Sequence, residues 1–222
     1  IIFFIYLFLL ENPIFEVIFM PLLALQQLSV QQAGKMLWHD LSFSLEAGER
    51  LGISAPSGRG KTTLGRVLAQ WQMPTSGQIL FNQQPLPKKG YCPIQLVPQH
   101  PDKCFNPFRT TGESVRDAWV PDSLWLEKLM IEPEWLTRRP NELSGGELAR
   151  IALLRALDPR TQLLIADEVT AQLDAQIQAK IWQVLIDESQ KRPLSLIIFS
   201  HNKALLEKVS TRIWWVDKEK IC

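Results

Sequence analysis

The sequence predicts an α/β fold built on a mostly parallel sheet, with an antiparallel β region near the N-terminus and a helical subdomain inserted into the core. Three observations carry this. Ala55-Pro56-Ser57-Gly58-Arg59-Gly60-Lys61-Thr62-Thr63 lies between an apolar strand and a helical pattern, so strand, Gly-rich loop and helix follow in the order of a phosphate-binding unit. Leu163-Leu164-Ile165-Ala166 is a short unbroken apolar run, the pattern of a strand buried on both faces. Between them, Glu113 to Arg138 looks helical and Trp-rich, but Pro121, Pro133 and Pro140 cut the region into short pieces, as expected of a small inserted subdomain.

Taken in order, Pro21 to Val30 reads as a first strand and Leu41-Ser42-Phe43-Ser44-Leu45 alternates as a half-exposed strand does. Ala47-Gly48-Glu49 makes a turn into the more apolar strand Arg50 to Ser54. Apolar spacing at Leu64, Val67, Leu68 and Trp71 predicts a helix, ended by Pro74-Thr75-Ser76-Gly77. Gln78 to Phe81 and Gln95 to Pro98 are expected strands, and Pro101 to Thr111 a Pro-interrupted loop. The core resumes with a helix from Glu147, a strand at Leu163 to Ala166, a helix over Ala175 to Ser189 and a strand at Ser195 to Phe199. Strands alternating with helices imply parallel pairing.

A chain of 222 residues with 46% hydrophobic content can bury a full core as one domain. With 24 basic and 23 acidic residues the net charge is +1, which argues against a polyanion-binding surface and excludes nucleic acid as the expected partner. Cys92, Cys104 and Cys222 are odd in number and lack zinc-like spacing, so free thiols in a reducing compartment such as the cytoplasm are expected. Ile1 to Leu10 is wholly apolar before Glu11-Asn12-Pro13 interrupts it. That stretch is shorter than the roughly 17 residues a spanning helix needs, and it has neither the basic start nor the cleavage site of a signal peptide. We expect residues 1–19 to be an apolar leader outside the native domain. The domain then spans residues 20–222, with the helical subdomain at about residues 100–145.

The chemistry is concentrated in a few segments. The loop at Ala55 to Thr63 nearly matches G-x-x-x-x-G-K-[ST]. Such a loop needs glycines so that backbone N–H groups wrap phosphates, a Lys to reach the outer oxygens and a hydroxyl to hold Mg²⁺. Gly58, Gly60, Lys61 and Thr62 supply these, whereas Ala55 stands where the pattern has its first Gly. A positive φ there would cost Ala on the order of 1–2 kcal/mol. Asp167 and Glu168 emerge at the carboxyl end of the buried strand, where open α/β sheets bind ligands. There Asp167 can orient a Mg²⁺ shell and Glu168 can accept a proton from water. Ser144-Gly145-Gly146-Glu147 reads as a capping box, and its helix start is also an anion site. Gln99 and His201 each follow an expected strand.

In this order the motifs resemble the ABC transporter ATPase family over about residues 24–217. Ala55 to Thr63 stands as Walker A, Gln99 as the Q-loop, Leu143 to Glu147 as the signature, Leu163 to Glu168 as Walker B, Ala171 to Asp174 as the D-loop and His201 as the switch histidine. The resemblance implies that Ser57, Gly58, Arg59, Gly60, Lys61, Thr62 and Thr63 bind ATP, and that Thr62, Gln99 and Asp167 hold Mg²⁺. It further implies that Glu168, His201 and Gln99 serve hydrolysis. Two ATPase subunits, identical or paralogous, would clasp nucleotide head to tail. Ser144, Gly145, Gly146 and Asp174 would then meet the nucleotide held by the partner subunit's Lys61. Three further positions depart from the family: Glu147 replaces the usual Gln, Asn202 the usual Asp, and Gln32 aligns with the aromatic that stacks on adenine, for which Trp38 is a candidate substitute.

The resemblance therefore implies an ATP hydrolase that powers separate integral-membrane permease subunits from the cytoplasmic face of the inner or plasma membrane. Phe105-Asn106-Pro107-Phe108-Arg109-Thr110 is similar to a segment of peptide, nickel and opine-metallophore importers. Trp119, Trp125 and Trp135 either form a dock for the permease or fill a small core. Two other readings are a soluble ABC ATPase outside transport and a regulatory subunit that binds ATP with weak hydrolysis.

Overall fold

A computed structural model describes residues 20–87 and 89–216, so the expected leader at residues 1–19 and Cys222 lie outside the described residues. In chain order, the strands are β1 (Leu23–Gln32), β2 (Lys35–Leu45), β3 (Arg50–Ser54), β4 (Ser76–Phe81), β5 (Gln84–Pro85), β6 (Ile94–Val97), β7 (Leu163–Asp167), β8 (Ser195–Phe199) and β9 (Arg212–Trp215). The helices are α1 (Lys61–Leu68), α2 (Thr111–Arg116), α3 (Ser123–Lys128), α4 (Gly145–Ala156), α5 (Ala175–Lys191) and α6 (Lys203–Val209).

Two sheets result. An antiparallel sheet has the order β2-β1-β4-β5, and a wholly parallel one the order β6-β7-β8-β3-β9. β1 and β2 form a hairpin around Ala33 and Gly34, at φ 48° and 78°, the left-handed backbone that a tight hairpin turn requires. β2 thus starts well before the alternating stretch that announces it. Its pairing with β1 shifts register three times, and each shift breaks the period-two pattern that reveals a strand.

The parallel sheet separates two apolar clusters. Leu163 and Ile165 of β7, with Ile197 and Phe199 of β8, face a cluster shared with the antiparallel sheet and α1. Leu164, Ala166, Leu196 and Ile198 face α4, α5 and the inserted subdomain. Successive strand residues point to opposite faces, so continuous apolar runs are what this layering requires. Gly65 lets α1 lie directly on the sheet: a Cβ there would stand 3.1 Å from Phe199 and 3.3 Å from Leu96.

α1 ends at Leu68, short of the expected Trp71. Gln70 turns left-handed at φ 60° and the Trp71 N–H donates to the Arg66 carbonyl at 2.8 Å, a Schellman-type stop. Trp71 is left exposed.

The inserted region is mostly short turns. Pro101–Cys104, Pro133–Thr137 and Pro140–Glu142 form 3₁₀ turns around α2 and α3. The tryptophans hold it together: Trp119 Nε1 donates to the Leu154 carbonyl at 2.9 Å, Trp119 packs edge-on against Trp125 with ring centroids 5.7 Å apart, and the Arg150 guanidinium lies 4.5 Å over Trp135. These rings pack against the inner apolar cluster while staying partly exposed. The apolar side chains this region exposes are Phe108, Val120 and Leu124.

Candidate functional site

The site gathers at the carboxyl ends of β3, β7 and β8. The loop after β3 leads into α1 with Gly58 at φ 75° and Gly60 at φ 91°. Gly60 is also confined, since a Cβ would stand 2.9 Å from Leu37 and 3.2 Å from Trp38 Nε1. Both constraints favour glycine. Ala55 is not among the residues with positive φ, so the strain its side chain would have suffered does not arise. Its carbonyl accepts a hydrogen bond from Lys61 Nζ at 2.6 Å.

Lys61 is buried, with 6% of its surface exposed. Burial lowers its ammonium pKa below the ordinary lysine value, while Glu168 and Asp167 pull it back up. Asp167, the last residue of β7, is 2% exposed. Burial pushes its carboxyl upward, opposed first by the hydrogen bond from Thr62, and Glu168 adds to the rise while Lys61 lowers it. Thr62 Oγ1 donates to Asp167 Oδ2 at 2.6 Å. A hydroxyl and a carboxylate so close form a hard-oxygen pair beside a phosphate-type loop, a set that fits Mg²⁺.

Glu168 sits at φ 50°, left-handed backbone rarely taken by a side chain of this size. Its N–H donates to the Phe199 carbonyl at 3.1 Å, fastening the turn after β7 to β8. Its carboxylate stands 3.1 Å from His201 Nε2 and accepts from Gln99 Nε2 at 3.2 Å. His201 Nε2 also lies 3.1 Å from Lys61 Nζ and 3.4 Å from Ser57 Oγ. β3, β6, β7 and β8 therefore deliver Lys61, Gln99, Asp167, Glu168 and His201 to one place.

These residues line a cleft of about 430 Å³ together with Ser57, Gly58, Arg59, Gly60, Thr62, Thr63, Gln32 and Leu37. Ser144, Gly145, Gly146 and Asp174 do not line it. Ser144 caps α4 in the expected box: its Oγ accepts from the Glu147 N–H at 3.3 Å, and Glu147 Oε2 accepts from the Ser144 N–H at 2.7 Å. That second bond holds the Glu147 carboxyl below its usual range. A Cβ on Gly145 would collide with the Gln172 side chain, and one on Gly146 would stand 3.0 Å from Leu173. Asp174 caps α5, its Oδ1 accepting from the Gln176 and Ile177 N–H groups at 3.0 and 2.9 Å.

Gln32 and Trp38, named above only in connection with the base, make contacts that were not foreseen, and Leu37 and Thr170 were not visible in advance. Gln32 Oε1 accepts from Thr63 Oγ1 at 2.8 Å, and Leu37 forms part of the cleft wall. Trp38 is buried, and its Nε1 donates to the Gly60 carbonyl at 3.0 Å. Thr170 Oγ1 accepts from Gln178 Nε2 at 2.7 Å and from Trp182 Nε1 at 3.0 Å, pinning the loop after Glu168 to α5. No short-range pattern links residues this far apart.

Comparison with known proteins gives one consistent answer. The family model described as ABC transporter matches residues 38–171. An oligopeptide transport ATP-binding protein of Bacillus subtilis is 32% identical over 193 residues, covering 78% of this chain and 59% of the relative. A glutathione import ATP-binding protein of Salmonella typhi is 32% identical over 197 residues, covering 78% of this chain and 31% of the relative. The chain thus spans 31% to 59% of the lengths of these relatives. Among solved structures, a dimeric ATP-binding cassette in a post-hydrolysis state with ADP and Pi superposes with a TM-score of 0.75. It is 21% identical and covers 88% of this chain and 94% of its own, so it speaks to the fold.

Proposed function

Because this chain belongs to the ABC transporter ATP-binding family, we propose that it is an ATP hydrolase that drives a separate integral-membrane permease in the import of peptides. The observation that carries the proposal is the meeting of Lys61, Thr62, Asp167, Glu168, Gln99 and His201 in a single cleft. Peptides are preferred to nickel or metallophore complexes because the two relatives described above are named for oligopeptide and glutathione. Among the described residues no helix is long and apolar enough to cross a membrane, which suits a subunit that works beside a permease at the cytoplasmic face.

In this reading the loop N–H groups around Gly58 and Gly60 and the Lys61 ammonium hold the phosphates, while Thr62, Asp167 and Gln99 hold Mg²⁺. The ion, when bound, offsets phosphate charge. Glu168 accepts the proton of the attacking water and His201 keeps that carboxylate oriented. Positioning and charge neutralisation supply most of the rate in phosphoryl transfer, so Lys61 matters as much as the base. Ser144, Gly145, Gly146 and Asp174 lie outside this cleft and serve the nucleotide of a second subunit.

Two of the departures that would favour the regulatory alternative are accommodated locally, since Ala55 carries no backbone strain and Glu147 completes a helix cap, although its negative charge stays. The test is the solution mass of Glu168→Gln protein with and without Mg-ATP, beside phosphate release by the unsubstituted chain. The proposal expects turnover to fall by roughly 10²–10⁴-fold while ATP binding persists, with a shift from monomer to dimer if the second subunit is another copy. Retained turnover in Glu168→Gln would remove the assigned base.

A further inference from the structure

We infer that Arg150 is a positioning residue whose buried positive charge, set beneath the start of α4, offsets the Glu147 carboxylate and so lets that helix start receive a phosphate. The inference rests on the reading above in which Ser144, Gly145 and Gly146 serve the nucleotide of a second subunit. A helix start draws anions through its free N–H groups and the positive end of its dipole, equivalent to about half an elementary charge. Glu147 sets a full negative charge in that same first turn.

The carboxylate is fixed where it would repel. Its bond from the Ser144 N–H, at 2.7 Å, does most to hold its pKa down, and the charges of Arg138 and Arg150 add to the depression. Glu147 is therefore ionised at neutral pH, and only a neighbouring cation can cancel its field. Arg138 is exposed, so water and salt screen it. Arg150 is 9% exposed and is screened far less.

The partners that hold Arg150 are uncharged. Its Nε donates to the Gly146 carbonyl at 3.3 Å and its Nη1 to the Met130 carbonyl at 2.5 Å, while the guanidinium lies 4.5 Å over Trp135. Met130 adopts left-handed backbone at φ 53°, a conformation that a residue with a side chain takes at a cost. A cation buried among carbonyls and a ring is poorly repaid for its lost hydration unless a counter-charge is near. Burial accordingly lowers the Arg150 pKa, and Glu147 leads the carboxylates that oppose the shift, ahead of Asp174 and Glu132. Long helical side chains lean toward the N-terminus and meet neighbours three positions away. The bond to Gly146 thus keeps the guanidinium at the first turn, with Glu147. A brace between the insert and α4 would account for the contacts with Met130 and Trp135, but it would leave the charge without a part.

The experiment measures phosphate release and Mg-ATP binding by the full chain and by Arg150→Met, Arg150→Lys and the double variant Arg150→Met with Glu147→Gln. Arg150→Met should lower turnover by roughly tenfold, the scale of one charge at a partly buried helix end. Its Mg-ATP affinity should stay within about twofold, because Arg150 does not line the Lys61 cleft and separate sites act independently. Arg150→Lys keeps the charge and should lose less, and Glu147→Gln should return most of the turnover lost in Arg150→Met. Equal losses in Arg150→Lys and Arg150→Met, or no recovery in the double variant, would reduce Arg150 to a brace and overturn the inference. A second measurement, NMR titration of the Glu147 carboxyl in nucleotide-free protein, needs no second subunit. Arg150→Met should move that titration to higher pH, and a midpoint that stays in place would overturn the inference by itself. A moved midpoint without phosphate release by the unsubstituted chain would count against the hydrolysis reading and leave the charge balance standing.

Discussion

At the scale of single residues, the cleft binds two oppositely shifted groups. In the proposed function, nucleotide binding with its ion needs Asp167 ionised and Lys61 protonated, and burial works against both. Asp167 has a raised pKa, so as pH falls it takes up a proton before an ordinary carboxylate would, and Mg-ATP affinity should decline earlier on the acid side. Lys61 has a lowered pKa, so as pH rises it loses its proton before an ordinary lysine, and affinity should decline earlier on the alkaline side. Because the Thr62 hydroxyl is what most opposes the rise at Asp167, Thr62→Val should move the acid limb to higher pH. Binding isotherms across pH for the two proteins check this; an acid limb that stays in place would detach Asp167 from Mg-ATP binding. Ala55→Gly, by contrast, relieves no strain and should leave ATP affinity within about twofold, since the carbonyl that accepts from Lys61 belongs to the backbone.

At the scale of elements, caps and chemistry share atoms. Ser144→Ala removes the α4 cap and should cost about 1 kcal/mol in stability, measurable by urea denaturation. Ser144→Asp keeps a capping acceptor and should restore most of that stability. In the proposed function it also sets a negative charge where a second subunit's nucleotide must dock, so the Asp variant should fold well yet fail to dimerise with Mg-ATP. Normal dimerisation of Ser144→Asp would assign Ser144 to the helix alone. That box was legible in the sequence because both partners lie within four residues, and β7 and β8 were legible because a strand buried on both faces carries an unbroken apolar run. The early part of β2, the two-residue β5, α6 and β9 were not. Register shifts blur alternation in the hairpin, seven residues of α6 hold too few turns for a period to emerge, and β9 is a half-exposed edge whose place depends on pairing with β3. In the site, motif order announced Lys61, Asp167 and Glu168, but the bond from Thr63 to Gln32 joins residues 31 apart and exists only once two sheets meet.

At the scale of the molecule, the cleft and the capped start of α4 are separate surfaces of one chain, which makes subunit complementation the informative measurement. If like subunits pair, mixing Lys61→Ala with Ser144→Asp should restore hydrolysis that neither has alone, because each heterodimer joins one intact loop to one intact signature. No recovery, with each variant shown to be folded, would indicate a paralogous partner.

The segment from Thr170 to Asp174 is held at both ends by one helix. Thr170 takes bonds from Gln178 and Trp182, and Asp174 takes them from the first turn of the same α5. Fastened twice to one helix, the short stretch between has little freedom to move except together with α5.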